Sequence, residues 1–464
     1  MNGWVKGGLA LGGLAVGLGA FRRALNPTPR YAPWEKPPYS EFEHKVLIVG
    51  GGFGGYTAAK DLCDLVKDRE DVGVLVLAKN NFFTFWPMVP GIVSSDIDAR
   101  NVAQPLRRAL ILAGASFRRA EVKKVDPDRK AVEAEGGIEF PYDQLVISVG
   151  GLPNFFGIPG VEEHSLQMRG VEDAERIRNR VIERFEEVSL TRGEVPQSKL
   201  TFVVIGGGAT GVETAAEIHM LVHENLAPDY PNIDPHRVRI YLIEGLPHIL
   251  PELDPALRNA ARARMMNQRI EVMTNSLAEG ITSDCVNLKG GGSIATENVI
   301  WTAGNRPNLG VEFEDLPVDQ RNGIKVDKYL RVEGYRDIWA IGDCAAVVDV
   351  RQENGKMVPP TAQAAIQQGH VVARNILATV DGREDELQEF EYRPMGQLVE
   401  LGSNFAVNEV LGVRFTGLAA AVFWRLAYLV RLNSPQSKAR IAADWLVGLF
   451  LKPAVTQIRG TSER

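Results

Sequence analysis

Two clusters of glycines stand where a phosphate could be held. Residues 46–49 are four consecutive apolar residues and read as a buried parallel strand, and Gly50, Gly52 and Gly55 follow at G-x-G-x-x-G spacing. In such a loop the first glycine permits a tight turn and the second lets backbone amides approach a pyrophosphate. The third lets the following helix lie against the strand. One triad is a weak signal, but Gly206, Gly208 and Gly211 repeat the spacing after another apolar run at 200–205. Phe53, Gly54 and Thr210 complete the two loops, so the chain is expected to hold two dinucleotides.

The group that normally completes such a site is an acid ending the next strand, where it takes the ribose hydroxyls. In the second unit that strand is residues 238–243 and Glu244 ends it. Glu244 lies farther from Gly206 than the roughly 20 residues usual for such a unit. An insertion at 222–237, with Pro228, Pro231 and Pro235, accounts for the excess. A carboxylate there suits NAD(H) and repels the extra phosphate of NADP(H); the alternative is an ordinary exposed glutamate. In the first unit the strand at 72–78 ends in Ala78 followed by Lys79. Lys79 is assigned to the cofactor site, and either another group holds the ribose or affinity there is weaker.

The elements around these residues alternate strand and helix. Further apolar strands end in Gly150, in Ala303 and Gly304, and in Gly342 and Asp343, while residues 56–67, 172–187 and 360–378 suit helices. Asp343 could also serve as a helix N-cap. This is an α/β pattern of two Rossmann-like dinucleotide-binding domains. The expected division is an N-terminal apolar segment and Pro-rich linker (1–45), a first nucleotide domain (46–163), a second (164–315), a return to the first (316–395) and a C-terminal region (396–464).

Composition narrows the class. The 464 residues, 45% hydrophobic and 24% charged, suffice for two or three globular domains. A net charge of −6 argues against nucleic-acid binding, which leaves a basic footprint. Cys63, Cys285 and Cys344 are isolated, so neither a disulfide framework nor a metal site is expected. Residues 7–21 are uncharged, with Lys6 before them and Arg22 and Arg23 after. They suit either a membrane anchor or an interfacial or loosely ordered tail.

Taken together, these residues resemble the type II NADH:quinone oxidoreductases, flavoproteins with two dinucleotide-binding domains, over nearly all of residues 45–450. The marks are the two glycine loops, Asn80, Asn81, Phe82 and Phe83 with Trp86, Pro87 and Met88, the run at 206–213 ending in Val212 and Glu213, and the run at 360–369. The resemblance implies FAD on the first loop and NADH on the second, with quinone taking electrons from the far side of the flavin. It implies that Asp343 accepts hydrogen bonds from the ribityl chain. It sets Glu213 near the nicotinamide and flavin, to assist proton transfer or position substrate. Repulsion from the pyrophosphate also turns that side chain inward, although an acid merely stabilised by its helix N-terminus has equal standing. Gln363 and Gln367, four residues apart on one helical face, are implied to border the flavin and line the quinone site. The alternative is a solvated pair on an Ala-rich helix.

The C-terminal segment fits a lipid-soluble substrate. Phe423, Leu426, Ala427 and Val430 fall on one face, as do Ile441, Trp445 and Leu449, and neither stretch has the long uncharged run needed to span a bilayer. Two helices lying on the membrane surface are expected, with Trp424 and Trp445 at headgroup depth. Core helices or a homodimer contact are the alternatives. The charges flanking residues 7–21 give a slight preference for a catalytic body on the cytoplasmic side. Two other readings remain: a sulfide:quinone oxidoreductase-like enzyme, which requires a redox cysteine pair, and a non-catalytic flavin-binding regulator.

Overall fold

The structure, a computed structural model, describes residues 24, 26–28, 37–308, 310–313, 315–351, 355–402 and 404–457. The apolar run at 7–21 lies outside the described residues. Two five-stranded parallel sheets form the body. The first has the order Ile338–Ala340, Gln144–Ile147, His44–Val49, Val72–Ala78, Ser116–Arg119. The second has the order Ser165–Gln167, Asn298–Trp301, Thr201–Ile205, Arg239–Ile243, Ile270–Met273. Val46, Leu47, Ile48, Val203 and Val204 are fully buried, as expected for strands covered on both faces. In each lobe an antiparallel three-stranded meander, at 122–141 in the first and 278–295 in the second, precedes the strand that pairs beside the glycine-loop strand. The two lobes are therefore copies of one plan.

Each sheet reverses its strand order beside its glycine-loop strand, His44–Val49 in the first and Thr201–Ile205 in the second, and such a switch point at the carboxyl ends is where nucleotides settle in these folds. The chain leaves the first lobe along Gly151–Pro153 and leaves the second along Asn305–Pro307, and these segments pair antiparallel. The return strand Ile338–Ala340 then rejoins the first sheet, pairing with Leu145, Val146 and Ile147. Its Trp339 is fully buried and donates its indole N–H to Gln144 Oε1 at 2.9 Å.

The sequence places helix starts a few residues off. The helix expected from residue 56 is Phe53–Leu65, and the one expected from 360 is Ala362–Val380, where the Thr361 side chain accepts from the Ala364 N–H. The excess length before Glu244 is in part a π-helical continuation, Met220–Leu226, of the Ala209–His219 helix. A three-stranded antiparallel sheet, Gly396–Glu400, Ala406–Val410 and Val413–Gly417, precedes two C-terminal helices, Leu418–Arg431 and Pro435–Gly448. Among the described residues no helix is long and apolar enough to cross a membrane.

Candidate functional site

The two glycine triads adopt the same geometry. Gly50 and Gly206 have φ of 110° and 115°, in the left-handed region that side chains disfavour. A Cβ on Gly55 would lie 2.0 Å from Gly50 O, and one on Gly211 would lie 1.8 Å from Gly206 O, so helix and strand touch only because both residues lack side chains. The middle glycines, Gly52 and Gly208, face open space, with nothing within 4 Å of where a Cβ would stand. That is the contour of a phosphate cradle at the N-terminus of a helix. Gly150, at φ 74°, also faces open space. At Gly304 a Cβ would strike Phe156, and the Ala303 backbone abuts Gly206.

The ends of the second strands differ in chemistry but not in position. Glu244 packs against Gly207, accepting the Gly207 N–H at 2.6 Å and the Leu246 N–H at 2.7 Å. The equivalent neighbour of Gly51 is Ala78, and Leu106 fills the rest of that corner. Lys79 points outward, 3.4 Å from Glu121, which also pairs with Lys123. The first site therefore lacks the carboxylate of the second, and Glu121 pairs with the lysine that follows its strand end.

Asp343 lies in a short 3₁₀ turn, Gly342–Cys344, and caps no helix, because a two-residue strand, Ala345–Ala346, follows it. Its Oδ2 accepts from Asn305 Nδ2 at 2.6 Å. Asn305 Oδ1 in turn accepts from Arg169 at 2.9 Å, and the Arg169 guanidinium stacks over Trp86. Burial raises the Asp343 carboxyl above the usual aspartate range, against the opposing pull of Asn305 and Arg169. Gln368, fully within the protein, accepts the Gly342 N–H at 2.6 Å and fixes the turn. Arg169, Asn305 and Gln368 are positioning residues that sequence reading did not single out.

Glu213 is buried in the Ala209–His219 helix and turns away from the glycine loop toward the C-terminal sheet, where its Oε1 accepts the Glu400 N–H at 3.2 Å. Burial pushes its carboxyl well above the usual range. Gln363 and Gln367 are half-buried, and both side-chain amides have backbone partners. Gln363 donates to Gly396 O at 2.6 Å and accepts from Met395 N, and Gln367 donates to Arg393 O at 2.9 Å and accepts from Arg393 N. Both amides are engaged with the 393–396 backbone, which ties this helical face to the approach to the C-terminal sheet.

Residues beside both glycine loops and on the Gln363 helix meet in one cavity of about 770 Å³, while Asp343 lines a separate small pocket that shares Thr361 with it. Phe53, Tyr56, Phe83 and Phe85 form the larger cavity's wall beside the first loop, Gly208 and Ala209 that beside the second, and Gln363, Gln367, Leu398, Val399 and Tyr428 the third. Arg431 and Asn433, at the junction of the two C-terminal helices, also line it. On the first of those helices Leu426 and Val430 are 58% and 72% exposed, and beyond the second Phe450 is 86% exposed. Trp424 is buried instead, edge-on to Tyr428 at 4.8 Å, so it is an anchor to the body and not a headgroup residue. Trp445 is half-buried under the Arg425 guanidinium.

Residues 44–369 match the model of the pyridine nucleotide-disulphide oxidoreductases. The chain belongs to this family. Within it, the chain is 31% identical over 410 residues to a probable NADH dehydrogenase of Dictyostelium discoideum, covering 87% of this chain and 88% of that one. It is 30% identical over 410 residues to the demethylphylloquinone reductase NdbB of Synechocystis, covering 87% and 95% respectively. The structure of NDH2 from Plasmodium falciparum in complex with NADH has the same fold, with a TM-score of 0.81 at 20% identity over 89% of this chain and all of that one. Although the family is named for disulphide chemistry, none of the three cysteines here is in a disulfide. Cys344 bonds to the Ile341 and Ile147 carbonyls, while Cys285 bonds within a separate meander, so no redox pair is formed.

Proposed function

We propose that this chain is a type II NADH:quinone oxidoreductase that passes two electrons from NADH to a membrane quinone without pumping protons. The observation that carries this reading is the single cavity reached by both glycine loops and by the base of the exposed C-terminal helices. FAD, when bound, supplies the two-electron carrier between a nicotinamide and a quinone. The residues fit that group: Gly50, Gly52 and Gly55 cradle its pyrophosphate, Gly150 leaves room for its passage, and Asp343 offers a fixed acceptor to its ribityl chain. Gly206, Gly208, Gly211 and Glu244 hold NADH on the opposite side. Phe83, Phe85, Leu398 and Val399 keep water from the cavity. Glu213, held as a neutral acid by burial, stores a proton behind the third wall.

The membrane role rests on Leu426, Val430, Leu446, Val447 and Phe450, which make an apolar face too short to span a bilayer and suited to lie on it. Quinone then enters from lipid beside Arg431 and Asn433, with the catalytic body on the cytoplasmic side or its equivalent. Steady-state assays with a short-chain quinone test the reading: NADH is the expected reductant and sulfide is inert. Turnover with sulfide but not NADH would replace it with the sulfide:quinone reductase alternative, which the separate placing of Cys344 and Cys285 disfavours.

A further inference from the structure

Phe156 stands where an aromatic residue is least expected. It is 61% exposed, and its φ of 52° lies in the left-handed region that bulky side chains rarely adopt. Gly157 follows at φ 68°, and the Ile158 N–H bonds to Phe155 O at 3.0 Å, so residues 155–158 make a tight turn with positive φ at both central positions. Such turns ordinarily take Asn, Asp or Gly at those places. Here the turn is pinned by its neighbours. Asn154 Oδ1 accepts the Phe156 N–H at 2.9 Å, Asn154 O accepts the Trp301 indole N–H at 3.1 Å, and Phe155 and Ile158 pack against the core of the second lobe. The Phe156 ring itself is left in solvent over Gly304. A strained residue that its surroundings fix in place is a sign of use for its side chain.

The shared plan of the two lobes identifies the space this ring occupies. Gly150 and Gly304 are equivalent: each is the third residue past the strand beside its glycine-loop strand, and they have φ of 74° and 72°. Gly150 faces open space, whereas a Cβ on Gly304 would lie 2.5 Å from Phe156 Cζ. The ring therefore stands in the nucleotide passage of the second lobe. Strand order decides which end of a dinucleotide it meets. Thr201–Ile205 pairs on one side with Arg239–Ile243, which leads to Glu244, and on the other with Asn298–Trp301, which leads to Gly304. With the adenosine ribose on Glu244, the nicotinamide half lies on the Gly304 side. That side also faces the first lobe, because the next residue, Asn305, donates to Asp343.

We propose that the Phe156 ring stacks on the nicotinamide of bound NADH and holds it facing the first lobe. The inference rests on the reading that places NADH on the second glycine loop. Nicotinamide is a flat heteroaromatic ring, and stacking it on Phe156 takes one face of each ring out of water. Because the turn is fixed by Asn154, and Trp301 lies tilted against Phe156 with centroids 6.4 Å apart, the ring is ordered before NADH arrives and little freedom is lost on binding.

The test uses the FAD-loaded full chain as wild type, Phe156→Ala, Phe156→Tyr and Phe156→Gly, with ferricyanide as acceptor so that only the NADH half of the reaction is read. Phe156→Ala is expected to lower kcat/KM for NADH about tenfold or more, chiefly through KM, and Phe156→Tyr to restore most of the loss. ADP-ribose keeps the adenosine and both phosphates but lacks the nicotinamide, and should inhibit wild type and Phe156→Ala to within about twofold of each other. Phe156→Gly should lose NADH as Phe156→Ala does, yet unfold without nucleotide at or near the wild-type temperature, because glycine adopts positive φ without strain. An unchanged kcat/KM in Phe156→Ala, or a loss of ADP-ribose binding equal to that of NADH, would overturn the stacking. A Phe156→Gly protein that unfolds far below the wild type would overturn it as well, since the side chain would then serve packing. A wild type whose flavin NADH leaves oxidised would instead remove the reading beneath it, and the stacking with it.

Discussion

Glu244→Gln separates the two nicotinamide coenzymes by a calculable amount. The carboxylate is fixed by two backbone amides, at 2.6 and 2.7 Å, so its charge sits at a defined place beside the second glycine loop. Two unit charges about 4 Å apart repel by about 4 kcal/mol at an effective dielectric of about 20. Glu244 is half-exposed, and solvent and salt screening bring this to roughly 1.5–3 kcal/mol for the extra phosphate of NADPH. At tenfold for each ~1.4 kcal/mol, the NADPH/NADH ratio of kcat/KM should rise by about 10- to 100-fold in Glu244→Gln. The amide keeps one oxygen acceptor where the carboxylate had two, so one backbone N–H loses its bond at a cost of about 1–3 kcal/mol. NADH kcat/KM should therefore fall, which is why the ratio is the quantity to measure. Ferricyanide as acceptor confines the assay to the nucleotide half of the reaction. An unchanged ratio would refute the placing of Glu244 at the ribose.

Gly55→Ala puts a Cβ 2.0 Å from Gly50 O, and the purified variant should carry little flavin by its absorbance while its NADH lobe keeps binding nucleotide by calorimetry. Full flavin content would count against the cradle. Asp343→Ala removes the acceptor held by Asn305 and should release FAD faster on dilution; equal retention would refute the ribityl contact. Replacing Leu426 and Val430 by Asp should abolish pelleting with liposomes yet spare ferricyanide turnover, and undiminished pelleting would place the membrane contact elsewhere. For stability, Glu400 has a folded pKa of about 8, above its unfolded value, so the folded state binds the extra proton between the two. That contribution is full below pH ~4.5 and is lost as pH rises through about 8. Tm should accordingly fall over that window, and less steeply in Glu400→Gln; parallel curves would contradict it.

The sequence carries the fold because its strongest signals are local. Four apolar residues before Gly50 and four before Gly206 report strands buried on both faces, and each triad reports steric contact within one strand–turn–helix unit. Glu244 is legible for the same reason, since its place is fixed by the strand it ends. What is not legible depends on distant segments. Arg169 reaches Asn305, 136 positions away, only because the two crossings between the lobes pair antiparallel. Glu213 and Glu400 are 187 positions apart, so nothing in the helix pattern shows that the Glu213 carboxyl meets the Glu400 N–H. Gln363 and Gln367 share a helical face as their spacing requires, but spacing is silent on the 393–396 backbone that takes up their amides. Trp424 reads as interfacial because tryptophan is common at headgroup depth, yet Tyr428 and the body give it a better-packed place.

The account stands on two electrons entering from NADH and leaving to quinone through one bound flavin. Anaerobic stopped-flow absorbance of the purified chain measures this directly. The account predicts about one flavin per chain, bleached on mixing with NADH and restored by a short-chain quinone at a rate sufficient for turnover. A flavin that NADH leaves oxidised, or that NADH reduces and quinone fails to reoxidise, would contradict it.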